Sequence, residues 1–171
     1  MRLEDTGPLT DEQRAELEGG EEFPFGTVGL DLTWRPKERH VLLVADDGAL
    51  VASTGLVTAR AEVDGSGIVP VVGVGGVIVA PPHRGEGHAR TVVEAALERA
   101  ATLGPRFALL FCRPGVAGLY QRLGFATVPG PVVVQQPGGK AAKMPQLTMW
   151  RALHDGTQWP PGRVRLLDLP F

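Results

Sequence analysis

Val77-Ile78-Val79 is a short apolar run that closes on Ala80-Pro81-Pro82. The next residues, His83-Arg84-Gly85-Glu86-Gly87-His88-Ala89, set an arginine and two glycines directly ahead of an Ala-rich stretch with helical spacing, Arg90 to Leu103. Strand, glycine turn and helix start, in that order, describe an anion site. The first amides of a helix have no partner within it, and the helix dipole adds partial positive charge there. Glycine lets the main chain approach a ligand with no Cβ in the way. The chemistry expected is the holding of a phosphorylated cofactor. Gly-x-x-x-x-Gly-Lys-Ser/Thr is absent, which argues against a P-loop nucleotide site. Gly73-x-Gly75-x-x-Ile78 lacks the third glycine of the dinucleotide fingerprint and runs on into more strand.

A second group of residues lies downstream. Phe107-Ala-Leu-Leu-Phe111 reads as a buried strand. Pro114 suits the first turn of a helix and Gly124 its C-terminal cap. Between them Val116, Leu119, Tyr120 and Leu123 fall at i, i+3, i+4 and i+7, on one helix face.

Together these segments resemble the GCN5-related N-acetyltransferases (GNAT). Arg84, Gly87 and Ala89 match that family's Gln/Arg-x-x-Gly-x-Gly/Ala acetyl-CoA loop, and Val77-x-Val79 with Pro81 fits its fourth strand. Leu119-Tyr120-Gln121-Arg122-Leu123-Gly124-Phe125 matches its Leu-Tyr-x-x-x-Gly-Phe element at the family's distance from the loop. The resemblance covers roughly Val41 to Val128. It implies an α/β fold of α+β type, a mixed, mostly antiparallel central sheet flanked by helices.

The resemblance further implies acetyl-CoA as co-substrate. Val77, Ile78 and Val79 would line pantetheine. Arg84, Gly85, Glu86, Gly87, His88 and Ala89 would cradle the pyrophosphate, mainly through main-chain amides. Arg84 would add side-chain charge there, or else sit solvated on the surface, and His88 reads as a first-turn helix residue. Tyr120, the chain's only tyrosine, matches the tyrosine that protonates the leaving thiolate, with core packing as the alternative. The activity implied is that of a transferase. It is an N-acetyltransferase (an acyltransferase) moving acetyl to a primary amine of a small molecule or peptide, by direct attack in a ternary complex. The rival reading is a non-catalytic acyl-CoA-binding sensor or interaction domain on the same fold. Dimerisation is common in that family, and the sequence gives no signal for it.

The chain also departs from the pattern. Many family members carry a glutamate on the bulged strand as a base, and the matching stretch here, Val74-Gly75-Gly76-Val77, has no carboxylate. Asp31, His40, Asp168 and a terminal carboxylate on Phe171 stand as candidate bases. The family's asparagine at the start of the last motif is replaced near Arg113. Glycine inside a strand marks a bulge, the close approach of a ligand, or tight packing, and all three stay open for Gly73, Gly75 and Gly76. In acceptor pockets of this kind Glu21, Glu22 and Asp31 would favour a cationic amine. The Trp-bearing late segment loosely resembles the aminoglycoside 2'-N-acetyltransferase-like branch.

The remaining elements must position these groups. Thr10-Asp11-Glu12-Gln13 is a capping box for a short helix that stops before Gly19-Gly20. Glu21 to Pro36 reads as a loop or broken helix anchored by Phe23, Phe25, Leu30 and Trp34. Val41 to Ala45, Leu50 to Arg60 and Ile68 to Val79 read as three antiparallel strands, joined at Asp46-Asp47-Gly48 and Asp64-Gly65-Ser66-Gly67. A helix over Arg90 to Leu103 makes the strands on either side parallel. Phe125 to Val128 and Leu147 to Leu153 are expected to close the sheet. Pro129 to Pro145 reads as a Pro/Gly loop, and an extended tail is expected from Trp159.

Composition agrees with a single domain over residues 1–171, its core at 41–128 and closing strands and C-terminal tail at 129–171. The 17 basic and 19 acidic residues leave no electrostatic footprint for nucleic acid. The apolar run from Ile68 to Pro82 is too short and too rich in Gly and Pro to cross a membrane. One cysteine, Cys112, excludes an intramolecular disulfide, and Met1 to Pro8 lacks the apolar core of a signal peptide, so a cytoplasmic location is expected. Cys112 reads as structural. His40, His83, His88 and His154 show no metal-ligand spacing.

Overall fold

The computed structural model describes residues 1–21 and 30–171. The anchors Phe23 and Phe25 and the acid Glu22 lie outside the described residues. The chain builds one mixed sheet with helices on both faces. Strand β1 (Arg2–Thr6) leads to helix α1 (Asp11–Glu18), then β2 (Arg39–Val44), β3 (Leu50–Val63) and β4 (Gly67–Val79). Helix α2 (His88–Ala100) crosses over to β5 (Phe107–Cys112), which is followed by α3 (Ala117–Arg122). Strands β6 (Ala126–Thr127), β7 (Val132–Gln135), β8 (Ala141–Lys143), β9 (Leu147–Ala152) and β10 (Val164–Leu166) complete the order.

The α1 capping box is formed as expected: Thr10 accepts from the Gln13 amide and Gln13 accepts in return from the Thr10 amide. Gly19, at φ +58, ends the helix in the left-handed region. Helix α2 starts two residues earlier than its apolar spacing suggests, because Gly87, at φ +86, supplies the turn into it.

Strands β2, β3 and β4 are antiparallel neighbours, and β4 runs parallel to β5, as a helical crossover requires. Side-chain alternation sorts the two faces. Val72, Val74 and Leu43 point to the α2 side with Val92, Val93 and Ala96, whereas Leu42, Val44 and Ile78 pack on Leu17 of α1.

Two expectations need correction. The stretch 129–145 is not one loop: Val132–Gln135 and Ala141–Lys143 pair antiparallel as β7 and β8. The region after Trp159 is not an extended tail either. β10 inserts into the sheet, antiparallel to β3 at Val164↔Val63 and parallel to β7 at Val164↔Val132. β3 is long enough to carry β2 along one stretch of its edge and β10 along another. Three residues of β10 give little sequence periodicity, but Val164 and Leu166 are fully enclosed with Val63, Val132 and Val134. β1, unforeseen in the sequence, zips onto β2 by main-chain bonds while keeping exposed charged side chains.

If β10 is a core strand, Leu166→Ala should cost about 2–5 kcal/mol in a urea unfolding titration, the usual loss for a buried leucine. A change under about 0.5 kcal/mol would return the segment to the surface.

Candidate functional site

Parallel pairing of β4 with β5 covers only Val71↔Phe107, Val72↔Ala108 and Gly73↔Leu109. From there the two strands splay, and β5 remains bonded only to β9 out to Cys112↔Leu147. Among the described residues, the β5-facing edge of β4 from Val74 to Val79 has no strand partner. On its other edge β4 carries a bulge. Between Ser53↔Ile78 and Gly55↔Gly75, β4 holds one residue more than β3, and Gly76 sits at φ +61. The bulge resets the alternation, so Val74 and Val77, three residues apart, both pack toward α2.

The gap opens into a cavity of about 570 Å³. Val74 to Ile78 form one wall, and Phe111 to Arg113 with Leu119 and Tyr120 form the other. Trp34, Lys37, His40 and Phe171 enclose it on the α1 side. Ala89 joins it to the glycine turn.

Of the sequence-expected residues, Val77, Ile78, Ala89 and Tyr120 line this cavity. Val79, Arg84, Gly85, Glu86, Gly87 and His88 lie outside its lining, on the end of β4 and the loop that follows. That loop has the form of an anion cradle. Gly85 and Gly87, at φ +84 and +86, turn the chain so that the amides of Gly85, Glu86 and Gly87 donate no main-chain hydrogen bond among the described residues, while the Gly87 carbonyl accepts from the Arg90 and Thr91 amides. His88 and Ala89 are the first two residues of α2, whose amides have no partner within the helix.

The Arg84 side chain is otherwise engaged. Its Nε donates to the Val79 carbonyl at 3.1 Å, and its two terminal nitrogens donate to the Glu21 carboxylate at 2.6 and 2.9 Å. Arg84 therefore fixes the loop, and any anion there meets amides first. Glu21 is spent on the same pair, which takes it from the expected acidic acceptor wall; the Arg84 hydrogen bond holds its pKa below the ordinary value. His88 opens α2 and its ring meets Glu86 at 2.9 Å.

Tyr120 is 8% exposed and stacks edge-on with Phe125, so it is core and cavity wall at once. Burial pushes its phenol up to about 12, with Cys112 adding to the shift. Burial likewise pushes the Cys112 thiol up to about 11, which keeps it protonated and inert.

The candidate bases separate clearly. Asp168 accepts from the Arg60 amide at 2.8 Å, away from the cavity. Asp31 is exposed and is not among the lining residues. His40 lines the cavity, 7% exposed, with Nδ1 at 3.1 Å from the Gly7 carbonyl. A carbonyl only accepts, so neutral His40 carries its proton on Nδ1 and keeps the Nε2 lone pair available. Burial holds its pKa below the ordinary histidine value, against the Gly7 bond, which favours the cation. The ring of Phe171 covers Gly73, where a Cβ would collide with it, and its carbonyl borders Gly75.

The strand glycines thus combine two of the expected roles. Gly76 makes the bulge, and Gly73 and Gly75 permit close packing. Lys37 was not foreseen. Its stem crosses Gly55 and Gly75, register partners on β3 and β4, and a Cβ on Gly55 would lie 2.7 Å from the Lys37 Cβ. No local sequence signal marks it, because the trench exists only once the strands pair. Among the described residues there is no group of three or more His, Cys, Asp and Glu arranged to hold a metal. No helix among them is long and apolar enough to cross a membrane.

Comparison with known proteins agrees with this geometry. Residues 26–128 match the Acetyltransferase (GNAT) domain family, and the chain belongs to it. Three solved structures share the fold. YhbS from Escherichia coli, a GNAT family N-acetyltransferase in complex with CoA, is 19% identical with a TM-score of 0.60, covering 98% of this chain and 91% of its own. ElaA from Escherichia coli is 24% identical with a TM-score of 0.56, covering 88% and 98%. A phosphinothricin acetyltransferase from Sinorhizobium meliloti in complex with AcCoA is 17% identical with a TM-score of 0.57, covering 94% of each chain. No curated protein matches the chain in sequence.

Lys37 gives this site a measurable signature. Burial, and then the nearby Arg14 charge, lower its pKa from 10.5 to about 8. Between those two values the unfolded chain holds the extra proton, so stability rises with pH across that window. Lys37→Met should be more stable than the parent below pH 8, by on the order of 2 kcal/mol once residual solvent contact is allowed for. The difference should shrink toward pH 10.5 in denaturant titrations at stepped pH. A constant difference would mean that Lys37 is solvated.

Proposed function

We propose that this chain is an acetyl-CoA-dependent N-acetyltransferase acting on a primary amine by direct attack in a ternary complex. The observation that carries the reading is the coincidence of three features on one path. These are the amides of Gly85 to Ala89 and the β5-facing edge of β4, both without a main-chain partner among the described residues, and a cavity lined by Tyr120. CoA fits these residues: its pyrophosphate suits a run of five open amides, and its amide-bearing pantetheine suits the strand edge at Val77 to Val79, which has no strand partner among the described residues and where the Val79 carbonyl is held by Arg84. When bound, acetyl-CoA supplies the acyl group as an activated thioester.

The chain's own groups then have defined tasks. The bulged main chain around Gly76 and Val77 presents amides that stabilise an oxyanion. Tyr120 holds a proton at its phenol throughout the working pH range and donates it to a departing thiolate. His40 Nε2 takes the proton that the amine must lose, directly or through water. His40 replaces the missing carboxylate, so the absence of an acid on β4 does not by itself favour a non-catalytic acyl-CoA sensor. The domain is taken as residues 1–171, because Phe171 and the β10 strand contribute to the same cavity and sheet.

The test joins binding to turnover. Acetyl-CoA at one hundred times its Kd should stabilise the protein by about 2.7 kcal/mol in thermal unfolding. Gly87→Trp, which blocks the cradle and forces a large residue to φ +86, should abolish that gain. With an accepted amine, Tyr120→Phe should lower kcat by about a hundredfold or more while the KM for acetyl-CoA changes little. In the parent kcat/KM should fall on the acid side as His40 protonates, at a pH below the ordinary histidine value, and His40→Gln should remove that limb. Acetyl-CoA binding with no amine-dependent thiol release across a broad acceptor screen would replace the enzyme reading with the sensor. No binding would overturn both.

A further inference from the structure

Among the described residues, the acceptor side of the cavity carries more positive than negative side chains, whereas the sequence suggests an acidic wall of Glu21, Glu22 and Asp31; Glu22 lies outside the described residues. Glu21 is paired with Arg84, and Asp31 is exposed away from the cavity. Among the described residues one side-chain carboxylate, Glu18, lines the cavity, and the main-chain carbonyl of Phe171 borders Gly75 beside the Lys37 Cε. Arg14, Lys37 and Arg113 line it as well, and none of the three has an ion-pair partner among those residues. Arg35 also lines it but is neutralised by Glu38.

We propose that Lys37, seated at the bulge with Arg14 beside it, is the anion-binding subsite for the acceptor, so that the acceptor is an amine that also carries a carboxylate or similar anionic group. The proposal rests on the acetyltransferase reading above and names its substrate class. Three observations support it. First, Lys37 is held in place rather than waving in solvent, because Gly55 and Gly75 together form the trench for its stem and its Cε reaches Gly75, the residue preceding the bulge glycine. Second, it lies on the sheet face away from the phosphate cradle. Val72 and Val74 point toward α2, whose N-terminus forms the cradle, so Gly73 and Gly75 open on the opposite face, the one that holds α1. Third, a half-enclosed ammonium with no ion-pair partner among the described residues is costly, and an anionic ligand is a partner that offsets the cost. Trp34, Phe111 and Phe171 lie on the same cavity and would take the apolar part of such an acceptor.

CoA is itself anionic, so the experiment separates the two sources of negative charge. The full chain is assayed for thiol release at saturating acetyl-CoA with each of the twenty L-amino acids and its carboxamide. Spermidine and kanamycin represent cationic amines. The expected result is a kcat/KM at least tenfold higher for an amino acid than for its amide. Lys37→Met should raise the KM for that acid at least tenfold and leave the KM for acetyl-CoA as it was. Arg14→Gln, on the exposed surface of α1, should act in the same direction and more weakly.

Equal use of acids and amides, or preference for the polyamine or aminoglycoside, overturns the proposal. So does a Lys37→Met effect confined to the KM for acetyl-CoA, which assigns the charge to CoA. If no amine is turned over, the acetyltransferase reading fails separately. The subsite is then judged by calorimetry on the CoA-loaded chain, with N-acetylglycine against N-acetylglycinamide. Binding of the carboxylate alone, lost in Lys37→Met, supports the subsite, and any other result there overturns it.

Discussion

Strand β4 keeps company with β5 for three residues and then leaves it, while on its other side it stays bonded to β3 across a bulge. A strand with one edge satisfied and the other open presents main-chain donors and acceptors that something must meet, since buried polar backbone groups are almost always paired. In this fold the opening is not a defect of packing. Helix α2 covers one face of the sheet with Val92, Val93 and Ala96, α1 covers part of the other through Leu17, and the space between the diverging strands remains as the cavity. The bulge at Gly76 aligns the two halves of β4 with the core, and Val77, Tyr120, His40 and Lys37 all border the same opening.

Much of that opening was legible in the sequence because its signals are local. The order of apolar strand, glycine turn and helix is written in thirteen consecutive residues, and the Leu-Tyr-x-x-x-Gly-Phe element in seven. The turn glycines need positive φ and the helix faces repeat, so residue type alone carries the information. The capping box at Thr10 and the parallel relation of β4 and β5 were legible for the same reason. What escaped was set by pairing between distant segments. β10 is three residues long and takes its place from β3 and β7, not from its own pattern. Lys37 is an unremarkable lysine until Gly55 and Gly75 come into register beneath it. Acidic residues near the first loop suggested a negative acceptor wall, but Glu21 folds back on Arg84, an arrangement that links residues 63 apart in sequence.

Electrostatics and geometry point the same way in the site. No carboxylate stands on β4, and the base is argued from His40, whose tautomer is set by the Gly7 carbonyl. The same burial that raises the Tyr120 phenol and the Cys112 thiol depresses His40 and Lys37. A low-dielectric pocket disfavours every charged form, so each group is held in its neutral state more firmly than in water. For Tyr120 that means a retained proton, for His40 an available lone pair, and for Lys37 a demand for a counter-ion. The chain belongs to the GNAT acetyltransferase family, and its fold is like that of YhbS.

The central claim is that the free edge of β4 and the amides after it form one continuous CoA-binding track. Amide hydrogen exchange by mass spectrometry, with and without CoA, reads that track residue by residue. The account predicts protection on CoA addition at Val77 to Val79 and at Gly85 to Ala89, with β1 and β8 unchanged. Protection confined to other segments, or none at saturating CoA, would contradict it.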